Sequence, residues 1–287
     1  MNGRVDLHQH LWPERLIALL ARRRRPPLLE RRGRAWWLRL HGEPDCAVDL
    51  ADHDPARRAA LAEADGLERV LICLSTPLAI EALPDEERKP LLEAFHEGVL
   101  ELGRPFGLWA AAPHPEADGI SVPAAALVSG EAAPLLDWAQ ECDLPLLVHP
   151  GPAAAGHDVP AWWPALTDYV AQMQAAWLAF ATRGRLRHPH LRVVFAMLAG
   201  LAPVHGERLA ARGGVVRHDP LSFYDVSSYG VKAVDAMIRA VGIDQIVFGS
   251  DRPVAQPPHL GGLGAAAEAA IERANPARVV ERAAVPA

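Results

Sequence analysis

Apolar residues gather along this chain in short runs separated by longer stretches of mixed polarity. Arg69–Leu74 (RVLICL), Leu144–His149 (LPLLVH), Arg192–Met197 (RVVFAM) and Gln245–Ser250 (QIVFGS) are almost continuously apolar. Parallel strands buried on both faces read this way, whereas half-exposed strands alternate. Val5–His10 (VDLHQH), Gly107–Ala112 (GLWAAA), the weaker Ile120–Pro123 (ISVP) and Ser222–Ser227 (SFYDVS) bring the predicted strands to eight. Pro55–Ala64, Ala133–Glu141, Asp168–Thr182 and Asp235–Val241 read as helices between them. The pattern predicts an α/β fold of the (β/α)8 TIM-barrel type, one domain over residues 1–287. Two segments exceed a minimal barrel. Arg22–Asp49, with Trp36 and Trp37, is an excursion after the first helix, and Pro150–Trp163 is a long loop after strand 5. Long loops on that face of a barrel usually serve its site.

Composition narrows the function classes. A chain of 287 residues, half of them hydrophobic, can bury a core without disulfide staples. Its net charge of -6 gives no footprint for nucleic acid, and no apolar stretch is long enough for a bilayer span. The arginine run Arg22–Arg25, continued by Arg31, Arg32 and Arg34, reads as a solvated face. The cysteines Cys46, Cys73 and Cys142 are odd in number and widely spaced, which fits a reducing, cytoplasmic setting.

The chemistry concentrates at strand ends. His8 and His10 are two apart on a predicted strand, so both imidazoles can face one ion. His149 closes the fifth strand and Asp251 follows the eighth, the end where barrels build active sites. Alone, either residue would read as a cap or turn residue. In a closed barrel the eighth strand neighbours the first, bringing Asp251 toward His8 and His10. Three imidazoles and a carboxylate suit one divalent ion, Zn2+ or similar, with positions left open.

The segments VDLHQH, LLVHPG, DVSSYG and IVFGSDRPV resemble the amidohydrolase-related family that includes the aminocarboxymuconate semialdehyde decarboxylases. The likeness runs through essentially the whole chain, to Asn275–Pro276. It implies a barrel holding one divalent metal, usually zinc, on His8, His10, His149 and Asp251. Some relatives bridge two metals with a carboxylated lysine. Neither Lys89 nor Lys232 falls on a predicted strand, which favours one metal.

The family normally carries a further histidine at the end of strand 6, where this chain has Met197. A thioether cannot act as an acid or base, so Met197 reads as pocket lining. His205, eight residues on, is the nearest replacement, in either a catalytic or a packing role; His53 and His157 have weaker claims. Arg252 either clamps a substrate carboxylate or forms a structural salt bridge. Asp225 is either an outer partner of a ligand histidine or a turn residue. Trp162, with Trp36, Trp37 and Trp163, suits a flat ligand or packs the loops.

The main reading is a metal-dependent hydrolase, with two alternatives. A mononuclear hydrolase would use metal-activated water on an amide, ester or lactone, with Asp251 taking the proton. A carboxy-lyase would act on an aromatic or unsaturated acid, a reaction that leans more on the missing histidine. A non-catalytic metal-binding barrel is the third. The expected partner is a small molecule, aromatic or carboxylate-bearing, and a homodimer is the default assembly.

Overall fold

A computed structural model of the chain describes residues 3–215 and 217–281. Eight parallel strands follow one another in chain order around a barrel: β1 (Arg4–Gln9), β2 (Leu67–Cys73), β3 (Phe106–Ala110), β4 (Gly119–Pro123), β5 (Leu146–His149), β6 (Val193–Phe195), β7 (Ser222–Asp225) and β8 (Ile246–Val247). The amide of Leu7 donates to Phe248 O at 3.0 Å, and that of Asp251 to His8 O at 2.8 Å. A bridge between Gln9 and Arg252 continues the contact, so the end of the eighth strand meets the first.

Val5, Leu7, Leu71, Trp109, Leu147, Val194, Phe223 and Val247 fill the barrel interior at or near zero exposure. A larger apolar layer separates the strands from the surrounding helices. This double burial explains the unbroken apolar runs. Trp109 is fully buried, and its indole N–H donates to Leu7 O at 2.7 Å.

The helices Pro55–Ala64 and Ala133–Glu141 form over the predicted residues. The first has proline at its start and a cap from Asp54, whose carboxylate accepts from Arg57 N at 2.7 Å. Asp168–Ala179 is α-helical and passes into a π-helical turn, Phe180–Gly184. Val231–Val241 starts one turn earlier than its apolar pattern suggested. Asp85–Leu100 is a long helix that the sequence pattern left unassigned, because apolar and charged residues mix around it and Pro90 lies inside.

The excursion is not irregular. It folds into a three-stranded antiparallel sheet, Leu28–Arg32, Ala35–Arg39 and Cys46–Val48. Its Leu29 and Leu38 enter the core. The long loop after β5 is irregular up to the short helix Trp163–Leu166. Among the described residues, no helix is long and apolar enough to cross a membrane.

Candidate metal centre

The ladder between β1 and β2 slips between Asp6 and Gln9: Asp6 pairs with Val70, and Gln9 with Ile72. Three steps on β1 thus match two on β2, a bulge that resets the side-chain alternation. Leu7 joins the barrel interior, while His8 and His10 turn together toward the metal position. Outer-side groups hold the bulge. Asp6 accepts from the amides of His8 and Ser250, each at 3.1 Å, and Gln9 Nε2 donates to it at 2.6 Å. Arg58, from the helix Pro55–Ala64, donates to His10 O at 2.8 Å and to the Gln9 side chain.

His149 ends β5. Asp251 sits beyond β8 with φ of 59°, a left-handed conformation that aspartate tolerates better than most residues. The four side chains are buried, and one donor atom from each lies within 4.8 Å of the others. Nε2 of His10 is 3.2 Å from Asp251 Oδ1, and Nε2 of His8 is 3.6 Å from it. The Nε2 atoms of His8 and His10 are 3.3 Å apart. The three rings stand nearly perpendicular, at 84° to 89°, as ligands around one point do.

The opposite ring nitrogens are all engaged. His8 Nδ1 is 2.8 Å from Asp225 Oδ2, His10 Nδ1 is 3.1 Å from Cys73 O, and His149 Nδ1 is 2.8 Å from Pro150 O. Thr76 Oγ1 also lies 2.6 Å from His149 Nδ1. An imidazole that donates through Nδ1 presents its Nε2 lone pair, and metal-binding histidines are commonly fixed this way. The donor set, its convergence and its outer partners therefore fit one divalent ion on His8, His10, His149 and Asp251. Lys89 and Lys232 lie on helices, so neither can bridge a second metal from a strand end.

Electrostatics agree. Burial works against a proton on His8, but Asp225 outweighs it and raises the imidazole well above its usual range. His10 is pushed up to about 9 despite burial, by Cys73 and Asp251. His149, buried beside both, is held neutral, well below its usual range. A pocket that draws protons onto two imidazoles attracts positive charge, and a cation would displace those protons.

Other expected site residues divide. Asp225 is the outer partner of His8. Met197 is buried just past β6, and its amide donates to Asp225 Oδ1 at 3.2 Å and Ser227 Oγ at 3.3 Å. It does not extend strand 6 as expected; instead it opens a left-handed turn through Leu201, with φ between 49° and 63°. Arg252 takes the salt-bridge alternative, with Nη1 2.6 Å from Asp65 Oδ2. His205 is exposed on a surface hollow with Trp177 and Arg208 and is not gathered with the ligands. Trp162 is 57% exposed beside Trp163, and His157 is exposed. His53 stacks on Trp12 at 4.3 Å and accepts its amide, a packing role.

Sequence reasoning missed Thr76, Arg58 and the pair Glu43–Tyr169. Tyr169 OH donates to Glu43 at 2.9 Å, and Glu43 also accepts Ala153 N at 3.0 Å. This buried carboxylate ties the excursion to the loop after β5. Arg58 had a faint signal as a charge on a helix whose other face packs on β2; Glu43–Tyr169 had none.

No protein-family model matches the chain, and no curated protein matches it. Solved structures do. IDCase from Metarhizium anisopliae, in apo form, superposes with a TM-score of 0.76 at 16% identity, over 96% of both chains. The 2,6-dihydroxybenzoate decarboxylase from Rhizobium gives 0.64 at 17%, over 98% of this chain and 99% of that one. The 5-carboxyvanillate decarboxylase from Novosphingobium aromaticivorans, complexed with manganese and 4-hydroxy-3-methoxy-5-nitrobenzoic acid, gives 0.64 at 14%, over 78% and 79%. At these identities the likeness establishes a shared barrel fold.

Proposed function

We propose that this chain is a divalent-metal-dependent carboxy-lyase acting on a small aromatic or unsaturated acid. The observation that carries the reading is the three-imidazole, one-carboxylate site at the strand ends of a barrel whose architecture decarboxylases of aromatic acids share. When bound, the ion supplies a Lewis acid that neutralises a substrate carboxylate. The imidazole-rich donor set suits zinc, and manganese is the ion in one similar structure.

The residues of this chain then orient the acid, exclude water and move one proton. Decarboxylation breaks the bond between the carboxyl carbon and its neighbour and leaves the electron pair on that neighbour, which takes up a proton. We assign the relay to Asp251: its ionised carboxylate takes the proton of the incoming acid and then gives it to that carbon, so the acid leaves as carbon dioxide and the protonated product. Met197 leaves no imidazole at the end of strand 6 to share the work, and one carboxyl suffices for one proton. Met197 would line the substrate side, and Trp162 would offer a flat surface from the loop. Arg252, already paired with Asp65, is not our choice for a substrate clamp.

A second reading, hydrolysis of an amide, ester or lactone, rests on Asp251 itself. Burial alone would raise its carboxyl, but the His10 hydrogen bond and the charges of His8 and His10 hold it below the usual range. An ionised carboxylate is a ready base for water. Incubation of metal-loaded protein with hydroxybenzoic acids in heavy water separates the readings. Carbon dioxide release with deuterium at the vacated carbon supports the lyase. Turnover of esters or lactones with none of the acids decarboxylated would overturn it.

A further inference from the structure

A cavity of about 490 Å³ opens among the segments that follow β2 to β5. Ala79 and Glu81 come from beyond β2, Ala111 from beyond β3, Ser121 from β4 and Pro152 from the loop after β5. None of the four metal ligands lines it. Both carboxylate oxygens of Glu81 are shielded from solvent without a hydrogen-bond partner among the described residues, and so is Ser121 Oγ. Ser121 is 1% exposed. The arginine in the wall, Arg88, does not serve the Glu81 carboxylate. It gives its guanidinium to the Asp85 carboxylate and to the backbone carbonyl of Glu81.

Burial dominates the environment of Glu81 and pushes its carboxyl up to about 7. Leaving such a group unbonded costs free energy, so a folded chain that keeps one generally satisfies it with something else. The volume falls within the range of roughly 300–1,000 Å³ typical of small-molecule sites. Alanine, proline and leucine walls with a few convergent polar groups are the usual build of such a site.

We propose that this cavity is a second binding site, which takes the hydroxyl or ammonium donor of a small organic molecule, with Glu81 as acceptor and Ser121 as the second polar contact. It does not depend on which reaction occurs at the metal.

The test is calorimetric titration with three probes of one frame: benzylamine, benzyl alcohol and benzyl methyl ether. The proteins are the wild type, Glu81→Leu, Glu81→Gln, Ser121→Ala and the metal-site double variant His8→Ala with His10→Ala. The two donors should bind the wild type, and the ether at least about 10-fold more weakly, the worth of one hydrogen bond to a charged group. Glu81→Leu should lose the donors by a similar factor, with an unchanged or raised melting temperature, because it removes an unpartnered carboxylate. Glu81→Gln should keep the alcohol and lose the amine, and it carries the test if the leucine variant does not fold. Ser121→Ala should weaken both donors. The double variant should bind as the wild type does. Failure of both donors to bind, equal binding of the ether, unchanged affinity in Glu81→Leu or loss of binding in the double variant would each overturn the proposal.

Discussion

The Asp225 carboxylate lies 2.8 Å from Nδ1 of His8, and both side chains are fully sealed from solvent. The other oxygen of Asp225 accepts the amides of Met197 and Ser227, so one carboxylate joins the ends of β6 and β7 to a metal ligand on β1. Gly249 makes this approach possible. A Cβ there would stand 2.9 Å from His8 Cβ and 3.0 Å from Asp225 Cγ. Asp225→Ala should weaken metal binding by about 10- to 100-fold, the usual worth of such an outer partner. Asp225→Asn, which keeps an acceptor for the ring N–H, should lose less. Competition with a metal-sensitive dye measures both, and equal affinity in Asp225→Ala would remove this carboxylate from the metal site.

Purified protein should hold about one equivalent of a divalent ion, as a convergent set of three imidazoles and a carboxylate does. The double substitution His8→Ala with His10→Ala should abolish it. Affinity should also rise with pH up to about 9, because His10 keeps its proton to that point and must release it to bind. Elemental analysis and titrations at several pH values check this. A pH-independent affinity would mean that the ligands are already deprotonated.

The barrel was legible because burial on both faces writes continuous apolar runs, and because turn residues bound them. The ligand set was legible because His8, His10, His149 and Asp251 all fall at predicted strand ends. Local pattern failed where long-range contacts decide. Asp85–Leu100 has an apolar stripe in Leu91, Phe95 and Val99, but its charged first turn, Pro90 inside it and the buried His96 and Gly98 beside the stripe blur the pattern. The sheet inside Arg22–Asp49 hid behind charged residues such as Glu30, Arg31, Arg32 and Arg39, which interrupt the buried Leu28, Leu29 and Leu38. Glu43 and Tyr169 are 126 residues apart, and nothing local marks either as the other's partner. The expected strand Arg192–Met197 ends early, at Phe195, because Met197 is apolar yet turns into left-handed backbone.

Acid should destabilise the fold through two neutral histidines. His53 is held down to about 3 and His96 to about 4, in both cases chiefly by burial. The unfolded imidazole takes its proton near 6.5, so from about 6.5 to about 4 the unfolded chain binds protons that the folded chain refuses. Stability is present above that window and is lost as the pH falls through it. For His96 alone the gap is worth roughly 3 kcal/mol. His96 Nε2 accepts Ala111 N at 3.1 Å, and glutamine can accept there without titrating. Urea unfolding of metal-free protein at pH 7 and pH 4.5 should show a smaller acid loss in His96→Gln than in the wild type. Equal losses would rule out His96 as a source.

The left-handed turn after β6 predicts opposite outcomes at adjacent positions. Ala199 has φ of 53°, a conformation that costs a residue with a Cβ about 1–2 kcal/mol. Ala199→Gly relieves that cost while adding chain entropy and losing a buried methyl, so stability should change by less than about 1 kcal/mol. Gly200→Ala should be severe. A Cβ there would add the left-handed cost and sit 2.6 Å from Val170 O, a backbone atom that cannot swing aside. Urea midpoints compare the two. A tolerant Gly200→Ala would mean that the turn is not left-handed at this position.

Met197→His should change the pH dependence of catalysis without removing the metal. Met197 follows β6 as His149 closes β5, and its backbone amide is held by Asp225, the carboxylate that orients His8. That bond is made by the main chain and survives the substitution. The imidazole is smaller and more polar than the thioether it replaces, so a modest packing loss is expected where Met197 is only 9% exposed. It also brings a titratable group to the end of the barrel where the four ligand side chains gather, where the wild type has a thioether that cannot titrate and where we propose Asp251 for proton transfer. Metal content should stay at the wild-type level, and the pH–rate profile should gain a limb near the ordinary histidine range of about 6.5. An unchanged profile in a folded, metal-loaded variant would show that side chains at 197 do not reach the reacting atoms. Asp251→Asn provides the control, since its amide can still offer an oxygen to the ion but can neither take nor give the proton. It should suppress turnover far more than metal content in the wild-type background and in the Met197→His background alike. Recovery of turnover by Met197→His in the absence of the Asp251 carboxyl would instead assign proton delivery to the end of strand 6.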